Sequence, residues 1–155
     1  DFEVSGLVMF AKTTASHRES QAWFEHGRVA KTYEAFSEPG AAASAEWCEW
    51  RTKIAKGKRR AFEAPHGKDS LTRARFVAKE GAFWKWELMP VTGRPHQLRF
   101  EMAKHGFPIC GDTLYGGRAQ PRENWIALRA TILDFSGLPE RFGLPESLRA
   151  AGLKS

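Results

Sequence analysis

The sequence has little of what disulfide-rich and membrane-spanning proteins need. It contains two cysteines among 155 residues, Cys48 and Cys110, which is too few for a disulfide framework, and their separation fits no zinc-knuckle spacing. It has no run of about eighteen apolar residues that could form a transmembrane helix. No charged-then-apolar leader opens it, so we expect a reducing, cytoplasmic location.

The sequence also lacks the motifs of the common cofactor-binding folds. It contains no P-loop, no dinucleotide-binding fingerprint and no zinc-ligand spacing. It has no internal repeat of about 20–50 residues, which argues against solenoids and propellers. What remains is an ordinary globular composition, because 42% of the residues are hydrophobic and eleven Phe and six Trp can anchor the core of a single domain.

Positive charge is concentrated in one stretch. The chain has a formal net charge of +6, but residues 51–75 hold nine basic and two acidic residues, so this stretch nets +7 and the remainder −1. Such a local excess is typical of a surface that binds a polyanion. It is equally typical of a solvated loop that keeps a protein soluble, and composition favours neither interpretation.

Hydrophobic patterning predicts more strands than helices. Strands are predicted at residues 6–12, 28–36, 46–53, 71–79, 82–89 and 126–135. Residues 80–81 are predicted to join two of them as a hairpin turn, and residues 58–68 to form an exposed basic loop. Because hairpin-like connections dominate, the pattern indicates an α+β domain with a largely antiparallel sheet.

Three helices are predicted beside these strands. The first runs to Glu25 and is capped by Thr13 or Thr14. The second begins with Pro95 in its first turn and stops at Gly106. A short third helix is predicted near residues 146–150, in a peripheral tail.

Two polar clusters occur where a simple fold does not require them. In the first, residues 1–7, Asp1 comes just before a predicted strand, although chain ends are more often solvated. The second gathers four polar side chains at a predicted helix start: Arg94, His96, Gln97 and Arg99. Helix starts favour anions. Any one of these side chains suits a solvated helix end, but four within six positions indicate a site.

A third cluster, residues 106–116, is a shaped loop. Its glycines and its proline predict a compact conformation. Cys110 and Asp112 have no evident catalytic partner in the sequence, and a packed thiol is the ordinary interpretation of Cys110. This loop is therefore informative about architecture rather than chemistry.

Together, four segments resemble the RluA-type pseudouridine synthases. The segments are DFEVSGL at 1–7, KTYEA at 31–35, TGRPHQLR at 92–99 and GFPICGDTLYG at 106–116. Their order and spacing match the family from Asp1 to about Phe135. The resemblance implies a mixed, largely antiparallel sheet flanked by helices, with a central RNA-binding cleft, and an enzyme that isomerises particular uridines in RNA to pseudouridine.

The resemblance also implies roles for individual residues. Asp1 falls on the family's nucleophilic aspartate, which forms a covalent link to the target nucleotide. Tyr33 matches the tyrosine that is expected to stack on the base and to assist proton removal, and Arg99 matches the arginine that pairs with the aspartate. Leu128 matches an apolar residue that packs against the base. Three further residues are expected to shape the pocket and bind phosphate: Arg94, His96 and Gln97.

The implied partner is structured RNA, ribosomal or transfer. The basic stretch is then expected to follow the RNA backbone. Its predicted contacts are Lys56, Lys58, Arg59, Arg60, Arg73 and Arg75. The family works without a cofactor or metal, so we expect neither, and we expect a monomer that does not associate with a membrane.

Domain organisation follows from the same resemblance. Residues 1–135 are expected to form the catalytic domain and residues 136–155 its C-terminal tail. The Arg-Leu that precedes the family's aspartate, and the family's N-terminal strands, would lie before residue 1. The competing hypothesis is a non-catalytic RNA-binding or RNA-chaperone protein that kept this fold. A hydrolase that uses Asp1 with Glu3 as its second carboxylate ranks below both.

Overall fold

The computed structural model describes residues 1–40, 42–118, 125–138 and 143–152. In these ranges the chain forms eight strands, two α-helices and one short 3₁₀ helix. In chain order they are β1 (Ser5–Gly6), α1 (Thr14–Glu25), β2 (Ala30–Ser37), β3 (Cys48–Lys56), β4 (Ala61–Glu63), β5 (Lys68–Glu80), β6 (Phe83–Pro90), α2 (Gln97–Lys104), the 3₁₀ helix (Thr113–Tyr115), β7 (Leu128–Asp134) and β8 (Ser147–Arg149). The predicted α+β class is confirmed.

All eight strands belong to one sheet. Its order is β1-β7-β2-β6-β5-β3-β4, and β8 pairs with β7 beside β1. The pairs are antiparallel except for β1 with β7, which is parallel. The predicted hairpin is present, since β5 and β6 are joined at Gly81, which has a φ of 59°. The sheet thus places β2 and β7, which are far apart in sequence, side by side.

Of the two hydrophobic clusters among the described residues, the larger lies on the face of the sheet that α2 covers. Trp86 and Leu88 of β6 are fully buried there, with Met102 of α2 and Ile109 of the following loop. Burying side chains of this size contributes about 1.5–3 kcal/mol each. Trp86 also donates a 2.9 Å hydrogen bond to Ser37, so its indole nitrogen is satisfied. This packing fixes α2 against the sheet.

The first helix begins and ends where the sequence predicts. Thr13 caps α1, and its side chain accepts a hydrogen bond from the backbone of Ser16, whose side chain in turn accepts from the backbone of Thr13. The chain leaves the helix through Gly27, which has a φ of 65°. Of the described helices, neither is long and apolar enough to span a membrane.

The first predicted strand is wrong in its extent. Of residues 6–12, only Gly6 lies in a strand, because β1 is Ser5–Gly6. The edge of β7 is divided between two partners: β1 pairs at Arg129 and Ala130, and β8 pairs from Ile132 onward. Because β8 occupies the next part of this edge, the chain after Leu7 cannot continue to pair with β7, and it leaves the sheet.

Two other predictions are corrected by strand pairing. The predicted basic loop 58–68 is shorter than expected, because β4 forms within it and pairs with the end of β3. The helix predicted near 146–150 is wrong, because Ser147–Arg149 form β8 against β7. The unpaired backbone groups at the edge of β7 hydrogen-bond to this segment, although its sequence only weakly favours a strand. Residues 139–142 and 153–155 of the predicted tail lie outside the described residues.

Candidate active site

A cleft of about 300 Å³ lies between the sheet and the start of α2. Its walls come from the segment before β1, from β2, from the loop before α2, from α2 and from β7. Seven of the residues singled out in the sequence line it together: Asp1, Tyr33, Arg94, His96, Gln97, Arg99 and Leu128. The fold thus brings together residues that are up to 127 positions apart in the sequence.

The Asp1 carboxylate faces two nitrogen-bearing side chains. Its Oδ2 lies 3.6 Å from Nη1 of Arg99, and its Oδ1 lies 3.5 Å from Nε2 of His96. Each carboxylate oxygen therefore has a different neighbour. The distances are longer than those of tight hydrogen bonds, so the carboxylate is held electrostatically and remains available to a reactant.

Arg99 has a tighter partner than the sequence indicated. Its Nε and Nη2 donate to the two carboxylate oxygens of Asp112 at 2.7 and 2.8 Å, and both side chains are buried. Its Nη1 also lies 3.3 Å from Glu3. Burial alone would lower the pKa of Arg99, but hydrogen bonding to Asp112 and the nearby carboxylates raise it. The guanidinium is a permanent cation that is fixed on one side and faces the cleft on the other.

Tyr33 and Leu128 lie on the same face of the sheet. Tyr33 pairs with Ala130 of β7, and Ala35, two residues later, pairs with Leu128. Because side chains alternate along a strand, both point to the α2 side. Burial raises the pKa of Tyr33, so its phenol stays neutral at physiological pH. The pair gives the cleft an aromatic ring and an apolar floor.

The start of α2 differs from its prediction. Pro95 precedes the helix instead of occupying its first turn, and His96 is the N-cap residue, with a φ of 53°. Its Nδ1 lies 3.1 Å from the hydroxyl of Tyr115. Burial, and then the charge of Arg99, lower the pKa of His96, which favours a neutral imidazole.

The side-chain amide of Gln97 forms hydrogen bonds only with neighbouring residues of the protein. Its Oε1 accepts from the Thr92 hydroxyl and from the Arg94 backbone, at 2.7 and 2.9 Å. Its Nε2 donates to the Leu71 carbonyl and to the Thr72 hydroxyl, at 3.0 and 2.9 Å. The amide is thus saturated, which fits a side chain that ties α2 to β5 better than one that binds phosphate.

Three further side chains belong to the site but were not identified from the sequence. Lys31 lines the cleft two residues before Tyr33, and burial lowers its pKa. Strand alternation from Tyr33 could have indicated it. Asp112 and Tyr115 reach the site through a loop that has no periodicity. The segment 106–116 that carries the family resemblance contains both residues, and a buried arginine needs a carboxylate partner such as Asp112.

The predicted RNA contacts fall into two groups. Lys56, Lys58, Arg59 and Arg60 surround the turn between β3 and β4. This turn is linked to the cleft through Tyr115, whose hydroxyl accepts from the backbone N–H of Ala61 at 2.6 Å and lies 3.1 Å from His96.

Arg73 and Arg75 form the second group. They flank Ala74, which pairs with Leu88 on the α2 side, so both point to the opposite face of the sheet from the cleft. Arg73 is paired with Glu49 at 3.2 Å and Arg75 with Glu87 at 2.6 Å. The structure does not bring these two arginines to the site.

Comparison with known proteins gives a consistent family. The RNA pseudouridylate synthase family model matches residues 1–104, a range that includes Asp1, Tyr33 and Arg99. The chain is 36% identical over 123 residues to the dual-specificity RNA pseudouridine synthase RluA of Vibrio cholerae, covering 74% of this chain and 48% of that protein. It is 27% identical over 133 residues to the ribosomal large subunit pseudouridine synthase D of Haemophilus ducreyi, covering 86% and 41%.

Solved structures share the fold. The structure of human RNA pseudouridylate synthase domain containing 1 superposes with a TM-score of 0.78 at 23% identity, over 99% of this chain and 66% of that one. The structure of human RNA pseudouridylate synthase domain containing 4 superposes with a TM-score of 0.71 at 17% identity, over 98% and 69%. The chain spans about half the length of the curated relatives it matches.

Proposed function

The chain belongs to the RNA pseudouridylate synthase family, and on this premise we propose that it converts specific uridines in RNA to pseudouridine, with Asp1 as the nucleophile. The observation that carries the proposal is the cleft itself. One carboxylate, one aromatic ring and one buried arginine converge there on an apolar floor. A protein that only binds RNA has no need of an arginine-paired carboxylate in its cleft, which disfavours the non-catalytic alternative.

The reaction moves a base without changing the composition of the nucleotide. The bond between ribose C1′ and uracil N1 breaks, while the Asp1 carboxylate forms a covalent bond to the nucleotide. The uracil rotates, C5 forms the new bond to C1′, and the bond to Asp1 is released. The proton lost from C5 is balanced by the proton gained at N1. Atoms and electrons balance within the substrate, so the proposal requires no cofactor and no metal.

The side chains of the cleft suit these steps. Arg99 places a permanent cation 3.6 Å from the Asp1 carboxylate, whose charged form a nucleophile requires. The ring of Tyr33 offers a stacking surface for the detached base, and Leu128 offers an apolar contact. Because burial keeps Tyr33 protonated, its hydroxyl is a donor rather than a general base in the resting enzyme.

The target uridine must leave its helix or loop to reach Asp1. A cleft of about 300 Å³ is at the small end of ligand pockets and suits one flipped base. Flipping costs least in loops and bulges, which favours structured RNA, ribosomal or transfer. Of the two curated relatives, one is named a dual-specificity RNA pseudouridine synthase and the other a pseudouridine synthase of the large ribosomal subunit, which supports an RNA substrate and favours ribosomal RNA among the candidates. We propose that the enzyme acts in the cytoplasm as a monomer.

Chemical mapping of pseudouridine tests the proposal. RNA from cells that lack the gene is compared with RNA from the same cells after rescue by the full-length wild type, by Asp1→Asn or by Glu46→Gln. We expect at least one uridine to lose its modification without the gene, and wild type and Glu46→Gln to restore it. Glu46 is exposed and outside the cleft, so it controls for loss of a carboxylate. Full restoration by Asp1→Asn, or no modification lost, would contradict the enzymatic assignment.

A further inference from the structure

His96 has a backbone conformation that most side chains avoid. Among the described residues it is the one non-glycine with positive φ, at φ 53° and ψ 20°. Histidine tolerates this left-handed region better than bulky residues do, but the conformation persists only where the surroundings impose it. Here it directs the imidazole into the cleft at the start of α2, between Tyr115 and Asp1.

The hydroxyl of Tyr115 determines which imidazole nitrogen carries the hydrogen. This oxygen accepts a 2.6 Å hydrogen bond from the backbone N–H of Ala61. Its own hydrogen can go to Nδ1 of His96 at 3.1 Å or to the Ala61 carbonyl at 3.4 Å. The shorter contact is the stronger one. If the hydroxyl donates along this shorter contact, Nδ1 is the acceptor and the hydrogen of a neutral imidazole lies on Nε2.

The contact between Nε2 of His96 and Asp1 favours the same tautomer. Nε2 lies 3.5 Å from Oδ1 of Asp1, and an ionised carboxylate can only accept. A hydrogen on Nε2 makes this approach favourable, whereas a bare nitrogen there would repel the carboxylate. The other oxygen of Asp1 faces Arg99 at 3.6 Å. The nucleophile thus lies between a neutral donor and a cation, one for each oxygen.

We propose that Tyr115 fixes His96 as the Nε2–H tautomer, so that His96 and Arg99 together set the orientation of the Asp1 carboxylate. Tyr115 and His96 are then positioning residues for the nucleophile. The kinetic part of this inference rests on the proposed function, but the tautomer does not. Fixing the rotation of the carboxylate places the attacking oxygen before the substrate arrives, which is where orientation contributes most to rate.

The tautomer is measurable by two-bond ¹H–¹⁵N correlation in full-length protein labelled with ¹⁵N-histidine. We expect a protonated Nε2 and an unprotonated Nδ1 for His96 in the wild type, and a mixture of tautomers in Tyr115→Phe. Tyr33→Phe is the matched control, because it removes the same hydroxyl from another residue of the cleft that has no bond to His96. A protonated Nδ1 in the wild type, or an unchanged His96 in Tyr115→Phe, overturns the proposal.

Single-turnover rates test the consequence for catalysis, with RNA from cells that lack the gene as substrate. We expect Tyr115→Phe to react roughly ten-fold more slowly with unchanged RNA affinity. We expect His96→Asn to react slowly as well. Because asparagine tolerates positive φ, the lower rate of this variant reports the loss of the imidazole and not a change in the backbone. A wild-type rate in Tyr115→Phe overturns the positioning role even if the tautomer changes. An inactive wild type contradicts the proposed function instead, and the tautomer measurement then decides this inference alone.

Discussion

Arg99 donates two hydrogen bonds to Asp112, at 2.7 and 2.8 Å, and thereby leaves only Nη1 directed at the cleft. Asp112 is 1% exposed and belongs to the loop after α2. The guanidinium is consequently anchored by one carboxylate and presented to another, Asp1. An arginine that was paired with the nucleophile alone would be free to change its rotamer, whereas this one is held on its far side.

The first prediction concerns this ion pair. Asp112→Asn removes the closest countercharge of a buried guanidinium, which Glu3 and Asp1 contact only at 3.3 and 3.6 Å, so we expect the free energy of unfolding to fall by about 3–5 kcal/mol. Urea denaturation measures it. Glu87→Gln is the control, since it breaks the more exposed pair with Arg75 and should cost about 1 kcal/mol or less. Equal losses in the two variants would show that the Arg99–Asp112 pair contributes no more than a surface pair.

The second prediction separates the two groups of basic residues. Lys58→Gln with Arg59→Gln removes two positive charges from the turn between β3 and β4, so we expect weaker RNA binding. We also expect the slope of the logarithm of the binding constant against the logarithm of the salt concentration to be about 1–2 units less steep. Filter binding over a range of salt concentrations measures both.

Arg51→Gln with Arg73→Gln is the matched control for charge. It removes the same net charge, but both arginines are paired with Glu49 and Arg73 points away from the cleft. We expect little change in the salt slope of this variant. If both double variants flatten the slope equally, then net charge rather than the position of the turn governs RNA binding.

The third prediction concerns Gly6, which joins the Asp1 segment to the sheet. Its φ is 107°, and a Cβ there would collide with the backbone of Ala130. We expect Gly6→Ala to displace β1 from β7, lowering the thermal midpoint and the activity together. Gly93→Ala has no positive φ and meets only the end of Lys31 at 3.7 Å, so its midpoint should stay near that of the wild type. An unchanged midpoint in Gly6→Ala would contradict the packing at this strand edge.

The fourth prediction concerns the thiol of Cys110. Burial raises its pKa to about 11, so at pH 8 its thiolate is roughly 100-fold rarer than that of an unperturbed thiol. We expect Cys110 to resist iodoacetamide in folded Cys48→Ser protein and to react after denaturation, as read by intact mass. The resistance should lessen as the pH approaches 11, since the thiolate forms there. Rapid alkylation of the folded variant at pH 8 would show that this thiol is accessible.

The helix α1 and the hairpin of β5 and β6 could be predicted from the sequence because their signals are local. Thr13 can cap a helix whatever the rest of the chain does, and Gly81 between two alternating segments makes a turn on its own. Residues 7–12 and 147–149 were assigned wrongly for the opposite reason. Their conformations depend on which of them reaches the edge of β7, a competition between segments more than a hundred residues apart.

The candidate site divides in the same way. The residue types of the chemistry could be predicted from the sequence, because the carboxylate, the aromatic ring, the arginine and the basic stretch each belong to a recognisable motif. Their contacts could not be predicted, because those contacts form between segments that are distant in the sequence. In the folded chain Arg99 is hydrogen-bonded to Asp112, and His96 contacts Tyr115. Arg73 and Arg75 pair with glutamates on the face of the sheet opposite the cleft. A motif fixes which groups a segment carries, but hydrogen bonds and ion pairs depend on distances that exist only once the sheet and α2 have packed together.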